Sequence, residues 1–221
     1  MNKFSLFLFA VFAFSSISSY ATDFGLNIST EKSFKLNPDV NDPSLKFIST
    51  APLEDIEGFV KAYDKIQSEV KLNASNIEKI TGNISFPIKT LKTGIKTRDE
   101  HLYGSDWLNA VQFPDISFEI KSVSNVKISK KDGDKSEVTA TVKGIYSMKG
   151  KSKEISVPLK ITYIKASEKT AKRAKGDFLS FEGTFDIALK DFDVKGTKDI
   201  VGSKVGETIK IEFKLFYNST N

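Results

Sequence analysis

The single histidine of the chain, His101, stands in Arg98-Asp99-Glu100-His101, and an aspartate two residues before a histidine can orient an imidazole toward a nucleophile. Nothing supplies that nucleophile. The chain has no cysteine, and no serine sits in a Gly-x-Ser-x-Gly turn. The same absences exclude a Cys-type metal centre, and one histidine rules out a multi-His site. Gly196, Gly202 and Gly206 are separated by Lys, Asp and Val on a loop between strands, so they are not a phosphate cradle opening a helix. The reading is therefore of a protein that is not an enzyme and takes no metal or cofactor. Arg98, Asp99 and His101 are suited first to fixing a short polar segment by ion pair or helix cap, and second to meeting a ligand head group.

The elements that must position these residues are strands, because from about Ser33 onward the dominant period is two. Ile66, Ser68, Val70 and Leu72 alternate with Gln67, Glu69 and Lys71, and Ile116, Phe118 and Ile120 alternate with Ser117, Glu119 and Lys121. Ile84, Phe86 and Ile88 alternate in the same way with Asn83, Ser85 and Pro87. Successive side chains of a strand point to opposite faces, so each run has one buried and one wet face. Pro87 marks an edge or a bulge, since it cannot donate to a ladder. Longer alternating runs follow at Val138 to Met148, Ile155 to Tyr163, Leu179 to Leu189 and Ile209 to Tyr217. Asp132-Gly133, Lys149-Gly150-Lys151 and Lys175-Gly176-Asp177 supply the turns between them. About eight strands at this spacing, with no long helical pattern, indicate an all-β sandwich or up-and-down barrel. Two stretches differ: Lys96 to Trp107 reads as one short helix, and Lys190 to Glu207 as a long loop of the kind that covers a cavity mouth.

Composition bounds the rest. Met1-Asn2-Lys3, the apolar run Phe4 to Phe14 and Ser19-Tyr20-Ala21 have the layout of a cleaved secretory signal. The run is too short for a membrane-spanning helix, which needs about 20 apolar residues. The expected organisation is a signal over 1–21 and one domain over 22–221, periplasmic or secreted, with no transmembrane segment. The formal charge of +5 is modest, and the lysines are dispersed along strands, so a nucleic-acid groove is not expected. Long Lys and Glu side chains on the polar face are too bulky for a narrow lumen, which places the apolar face inside and the charges in water. Of the eighteen phenylalanines, those other than Phe4, Phe7, Phe9, Phe12 and Phe14 of the signal-like run fall mostly in alternating segments, where they suit either a packed core or an apolar cavity.

A central stretch carries a family resemblance. Leu91-Lys92-Thr93-Gly94 leads through Arg98-Asp99-Glu100-His101-Leu102 to Ser105-Asp106-Trp107 and then Phe113-Pro114-Asp115-Ile116-Ser117-Phe118. This resembles the pattern of the YceI-like family: Leu-x-Thr-Gly, Arg-Asp-x-His-Leu, an acidic-aromatic step, and an aromatic-Pro before a strand. Weaker echoes lie in Ala51 to Gly58, Val142 to Gly150, and Asp191-Phe192-Asp193-Val194. Two departures stand out: Asp42-Pro43-Ser44-Leu45 where many members have His-Ser, and Lys190 where an Arg commonly precedes Asp-Phe. The resemblance implies an extended antiparallel lipocalin-like barrel, exported, whose partner is a long-chain isoprenoid or other amphiphilic lipid. A homodimer is left open.

The expected lumen residues are Phe86, Phe118, Tyr146, Phe181, Phe185 and Phe213 on the apolar faces, with Trp107 and Phe113 near a mouth. Gly144 and Gly183 share those faces and are expected to leave room for a ligand. The alternative is an exported surface-interaction or stress protein whose barrel is a scaffold without a lumen ligand.

Overall fold

The computed structural model describes residues 21–26, 28, 30–40, 44–171 and 175–220. The run read as a signal, Met1 to Tyr20, lies outside the described residues, as do Asp42 and Pro43.

Each alternating run becomes a strand. In chain order these are β1 (Glu31–Leu36), β2 (Leu45–Thr50), β3 (Asp55–Val60), β4 (Gln67–Asn73), β5 (Asn76–Pro87) and β6 (Leu91–Lys92). The longer ones are β7 (Asp115–Asp132), β8 (Lys135–Met148), β9 (Lys151–Ile164), β10 (Phe178–Ala188) and β11 (Thr208–Ser219). One eight-residue helix, α1 (Lys96–Tyr103), follows β6. The order β1-β4-β5-β7-β8-β9-β10-β11, closed by β11 on β1 through Leu36↔Tyr217 and Phe34↔Ser219, is an eight-stranded antiparallel barrel. The first half of β11 pairs instead with β2, Ile209↔Ser49 to Phe213↔Leu45, and β2 continues into β3 and β6. The wall is therefore built from different strands at its two ends.

Local chemistry explains the corners. Lys149 and Gly150 both have positive φ, 50° and 69°, which gives a two-residue turn the twist that antiparallel strands need. Met148↔Lys151 closes that hairpin, and the β8–β9 register then runs unbroken to Lys135↔Ile164. Pro87 is the last residue of β5 and pairs with Asp115 beyond the end of the β4–β5 ladder at Gln67↔Ser85. Outside the barrel, charges face each other across strands: Lys46 and Glu212 at 3.0 Å, Lys160 and Glu182 at 2.9 Å, Lys143 and Glu154 at 3.3 Å. The long charged side chains are thus on the wet face and the apolar face is interior, the sidedness opposite to that of an outer-membrane barrel. No helix among the described residues is long and apolar enough to cross a membrane.

One end of the barrel is solid. Phe24, Phe34, Leu72, Ile77, Val138, Ile161, Tyr163 and Leu179 are fully buried there. Phe24 enters from the segment ahead of β1, which is tied to the β4–β5 hairpin by Phe24 N–H to the Ala74 carbonyl at 2.9 Å and Ile77 N–H to the Thr22 carbonyl at 2.9 Å. Its ring lies 5.2 Å from that of Tyr163, and Phe34 meets Tyr163 edge-on at 5.9 Å. Below them the Asp177 carboxylate accepts hydrogen bonds from Lys32, Tyr163 and the Ala166 N–H. That network ties β1 and β9 to the residue just ahead of β10.

Candidate functional site: an apolar lumen

The other end is hollow. A cavity of about 470 Å³ occupies it, within the range of roughly 300–1,000 Å³ typical of small-molecule sites. Inward residues of the strands make its walls: Phe86 of β5, Phe118 of β7, Tyr146 of β8, Phe181 and Phe185 of β10, and Phe213 of β11. Val70, Val142, Leu159 and Tyr217 form the floor above the packed end. The segment after β10 contributes Leu189, Val194, Ile200 and Val205, and the stretch around α1 contributes Leu91, Leu102, Trp107 and Leu108.

The expected closing loop, 190–207, does cover this end. Gly196 N–H donates to the Asp106 carbonyl at 3.0 Å, and the Trp107 ring lies over Gly196, where a side-chain carbon would come within 2.8 Å of it. Gly196 has φ +65°, a conformation that costs glycine little. Thr97, His101, Thr197 and Lys204 line the cavity and are themselves exposed. The opening therefore lies between α1 and the 195–205 loop, and its rim is polar.

The polar triad divides by role. Arg98 Nη2 donates to Glu54 Oε1, clamping α1 to the β2–β3 turn, and both residues touch the cavity. Asp99 is buried outside the lining; its Oδ1 accepts from Thr93 N–H at 2.7 Å and Thr93 Oγ1 at 2.8 Å. This ties the first turn of α1 to the loop ahead of it. Arg98 and Asp99 thus fix the segment through separate partners. His101 is on the rim.

Apart from the Arg98–Glu54 pair and Lys204, the residues lining the lumen are uncharged. Burial pushes the Tyr146 phenol far above its ordinary value, and among the described residues its hydroxyl donates to the Met148 sulfur at 3.9 Å. Burial pushes the Tyr217 phenol up to about 12, tempered by its hydrogen bond with Ser68 Oγ at 3.0 Å. Both stay neutral across the physiological range. Ser49 Oγ is occupied, accepting from the Gly206 N–H at 2.8 Å.

Of the residues expected in the lumen, Phe113 is placed elsewhere. Its ring lies against the β8–β9 turn, where a side-chain carbon on Gly150 would come within 2.5 Å of Phe113 Cε1. Phe47 was missed, although Leu45, Phe47 and Ser49 share one inward face of β2 and the alternation Leu45-Lys46-Phe47-Ile48-Ser49 signals it. Tyr217, whose place in the alternation of β11 signals only a strand residue, also reaches the lumen. Gly144 and Gly183 do lie on inward faces, but the space beside them is filled: a side-chain carbon would fall 2.3 Å from Phe118 Cζ and 2.9 Å from Phe213 Cζ respectively.

Residues 36–217 match the YceI-like domain family. The chain belongs to that family. It is 28% identical to Protein YceI of Escherichia coli O157:H7 over 130 residues, which is 59% of this chain and 60% of that protein. The chain thus spans less than two thirds of the curated relatives' length. Among solved structures, BcnA of Burkholderia cenocepacia superposes with TM-score 0.62 at 19% identity, covering 82% of this chain and 98% of BcnA. A polyisoprenoid binding domain from Saccharophagus degradans, implicated in plant cell wall breakdown, superposes with TM-score 0.59 at 11% identity, covering 85% and 99%. At these identities the two superpositions establish a shared fold. The YceI-like assignment rests on the match over 36–217, and all of Leu91 to Phe118 lies within it.

Proposed function

We propose that this protein is an exported carrier that holds a long apolar or amphiphilic chain of the polyisoprenoid class in its barrel lumen. The observation that carries this reading is the apolar, aromatic cavity above a solid floor, with its charged residues Glu54, Arg98 and Lys204 toward α1 and the 195–205 loop. A hydrocarbon chain gains about 0.8 kcal/mol for each CH₂ it buries, so a chain laid along these rings needs few hydrogen bonds to be held. Membership of the YceI-like family and a fold shared with a polyisoprenoid binding domain support the ligand class. The signal-like start, Met1 to Ala21, supports export. On this reading Arg98, His101 and Lys204, which line the cavity, meet the ligand's head group, and the chain lies among Phe86, Phe118, Tyr146, Phe181, Phe185 and Phe213.

Titration of delipidated protein with a long-chain prenol tests this, because Trp107, the only tryptophan, lines the cavity. Saturable change in Trp107 emission with one-to-one stoichiometry is expected. A flat titration, with the protein folded, overturns the carrier reading in favour of a scaffold role.

A further inference from the structure

An eight-stranded barrel has an interior just wide enough for side chains to fill, and this one is rich in inward aromatics at both ends. Only one end is hollow. At the packed end Phe24, Phe34 and Tyr163 interlock ring against ring. At the hollow end three phenylalanines are seated differently, each against a glycine on the neighbouring strand.

Phe47 is the direct cross-strand partner of Gly58, and Phe213 of Gly183. Phe118 lies diagonally from Gly144, whose own partner is Ile120. In every case a ring atom occupies the volume that a side-chain carbon would need: Phe47 Cζ at 2.1 Å, Phe118 Cζ at 2.3 Å and Phe213 Cζ at 2.9 Å. Neighbouring side chains on one face of a sheet normally stand side by side. Removing one lets the other lie down over the bare backbone, as aromatic residues do over strand glycines. All three rings line the cavity and none is fully buried, so each turns a face to the open lumen. The pairs sit on β2–β3, β7–β8 and β10–β11, spread around the wall.

We propose that these ring-on-glycine pairs set the bore of the lumen and so make it wide enough for methyl-branched chains, with Gly58, Gly144 and Gly183 as specificity-determining residues. This rests on the lumen-carrier reading. An isoprenoid bears a methyl branch on every unit and needs a wider channel than a straight alkyl chain. A single misplaced methyl group in an apolar pocket is worth roughly 10–200-fold in discrimination.

Gly58 offers the cleanest test. The three nearest atoms to a side-chain carbon there all belong to the Phe47 ring, so Gly58→Ala displaces a ring and not the wall. At Gly144 and Gly183 a backbone carbonyl also stands close, Glu119 at 2.5 Å and Pro158 at 2.9 Å, and at Gly183 Leu159 Cδ2 is nearer still at 2.7 Å, so alanine there disturbs more than a ring. The experiment measures affinities of the wild type, Gly58→Ala and Phe47→Leu for geranylgeraniol and for eicosanol, its unbranched counterpart in total carbon count. Gly58→Ala is expected to lower the branched-to-unbranched affinity ratio by about tenfold, and Phe47→Leu to leave it unchanged or raise it. A crystal structure of Gly58→Ala should show the Phe47 ring turned into the cavity. An unchanged ratio in Gly58→Ala, or a ring still against the wall, overturns the proposal while leaving the carrier reading intact. Wild-type protein that binds neither alcohol overturns the carrier reading itself.

Discussion

At the scale of single residues, Arg98, Asp99 and His101 sit within four positions of one another and do different things. Arg98 reaches Glu54 across to the β2–β3 turn, and Asp99 turns back to Thr93. Asp99→Ala leaves the half-buried Thr93 N–H and hydroxyl without the Asp99 carboxylate as acceptor, which costs about 1–3 kcal/mol. Urea melts should show that loss, with prenol affinity little changed because Asp99 is outside the cavity lining. A fully stable variant with lost binding would reverse the assignment. The sequence made these roles legible as a class, fixing a segment, but not the partners. Glu54 is far away in the chain, and only the closing of the sheet brings it to α1. Phe113 shows the opposite limit: an aromatic next to a mouth motif reads as lumen, yet the positive-φ turn at Lys149-Gly150 offered its ring a bare backbone to lie on.

At the scale of elements, the closed end depends on one buried carboxylate. Burial alone would raise the Asp177 carboxyl, but hydrogen bonds from Lys32, Tyr163 and the Ala166 N–H more than offset this and hold it below its ordinary value of 3.8. A carboxyl depressed in the folded state adds stability that is fully present above its unfolded value and is lost as pH falls through the folded one. Thermal melts of the wild type and Asp177→Asn should therefore differ most near neutrality and converge below about pH 3.8. The gap should hold down to about that pH and shrink below it, so a gap that stays constant well below 3.8 would show that the carboxylate's charge is not what ties these strands. The long strands β8 to β11 were legible because their alternation runs over many residues, with turns where Gly and Asp allow them. The short strands β1 to β3 were not, because a six-residue strand offers too few alternations to stand out from a loop. The second half of β7 was hidden for another reason. Beyond Glu119 it pairs only with β8 among the described strands, through irregular register and with exposed lysines at 127, 130 and 131, so neither face shows the apolar period. Lysines on such an edge discourage further strand pairing.

At the scale of the whole molecule, one barrel combines a plug and a vessel. Inward aromatics that interlock around Tyr163 close one end, and aromatics folded onto glycines keep the other open. Binary patterning set the sidedness and the barrel, but it cannot distinguish a filled interior from a hollow one, since both are lined by the same residue types. What decides is which residue stands opposite across the strands, and that depends on register. The central claim is that the hollow end carries a long hydrocarbon chain. Its most direct test is mass spectrometry of an organic extract from protein purified gently out of its native host. The account predicts a near-stoichiometric isoprenoid or similar long-chain amphiphile, absent from the extract of a control protein purified alongside. An extract without any lipid above that control, from folded protein, would contradict it.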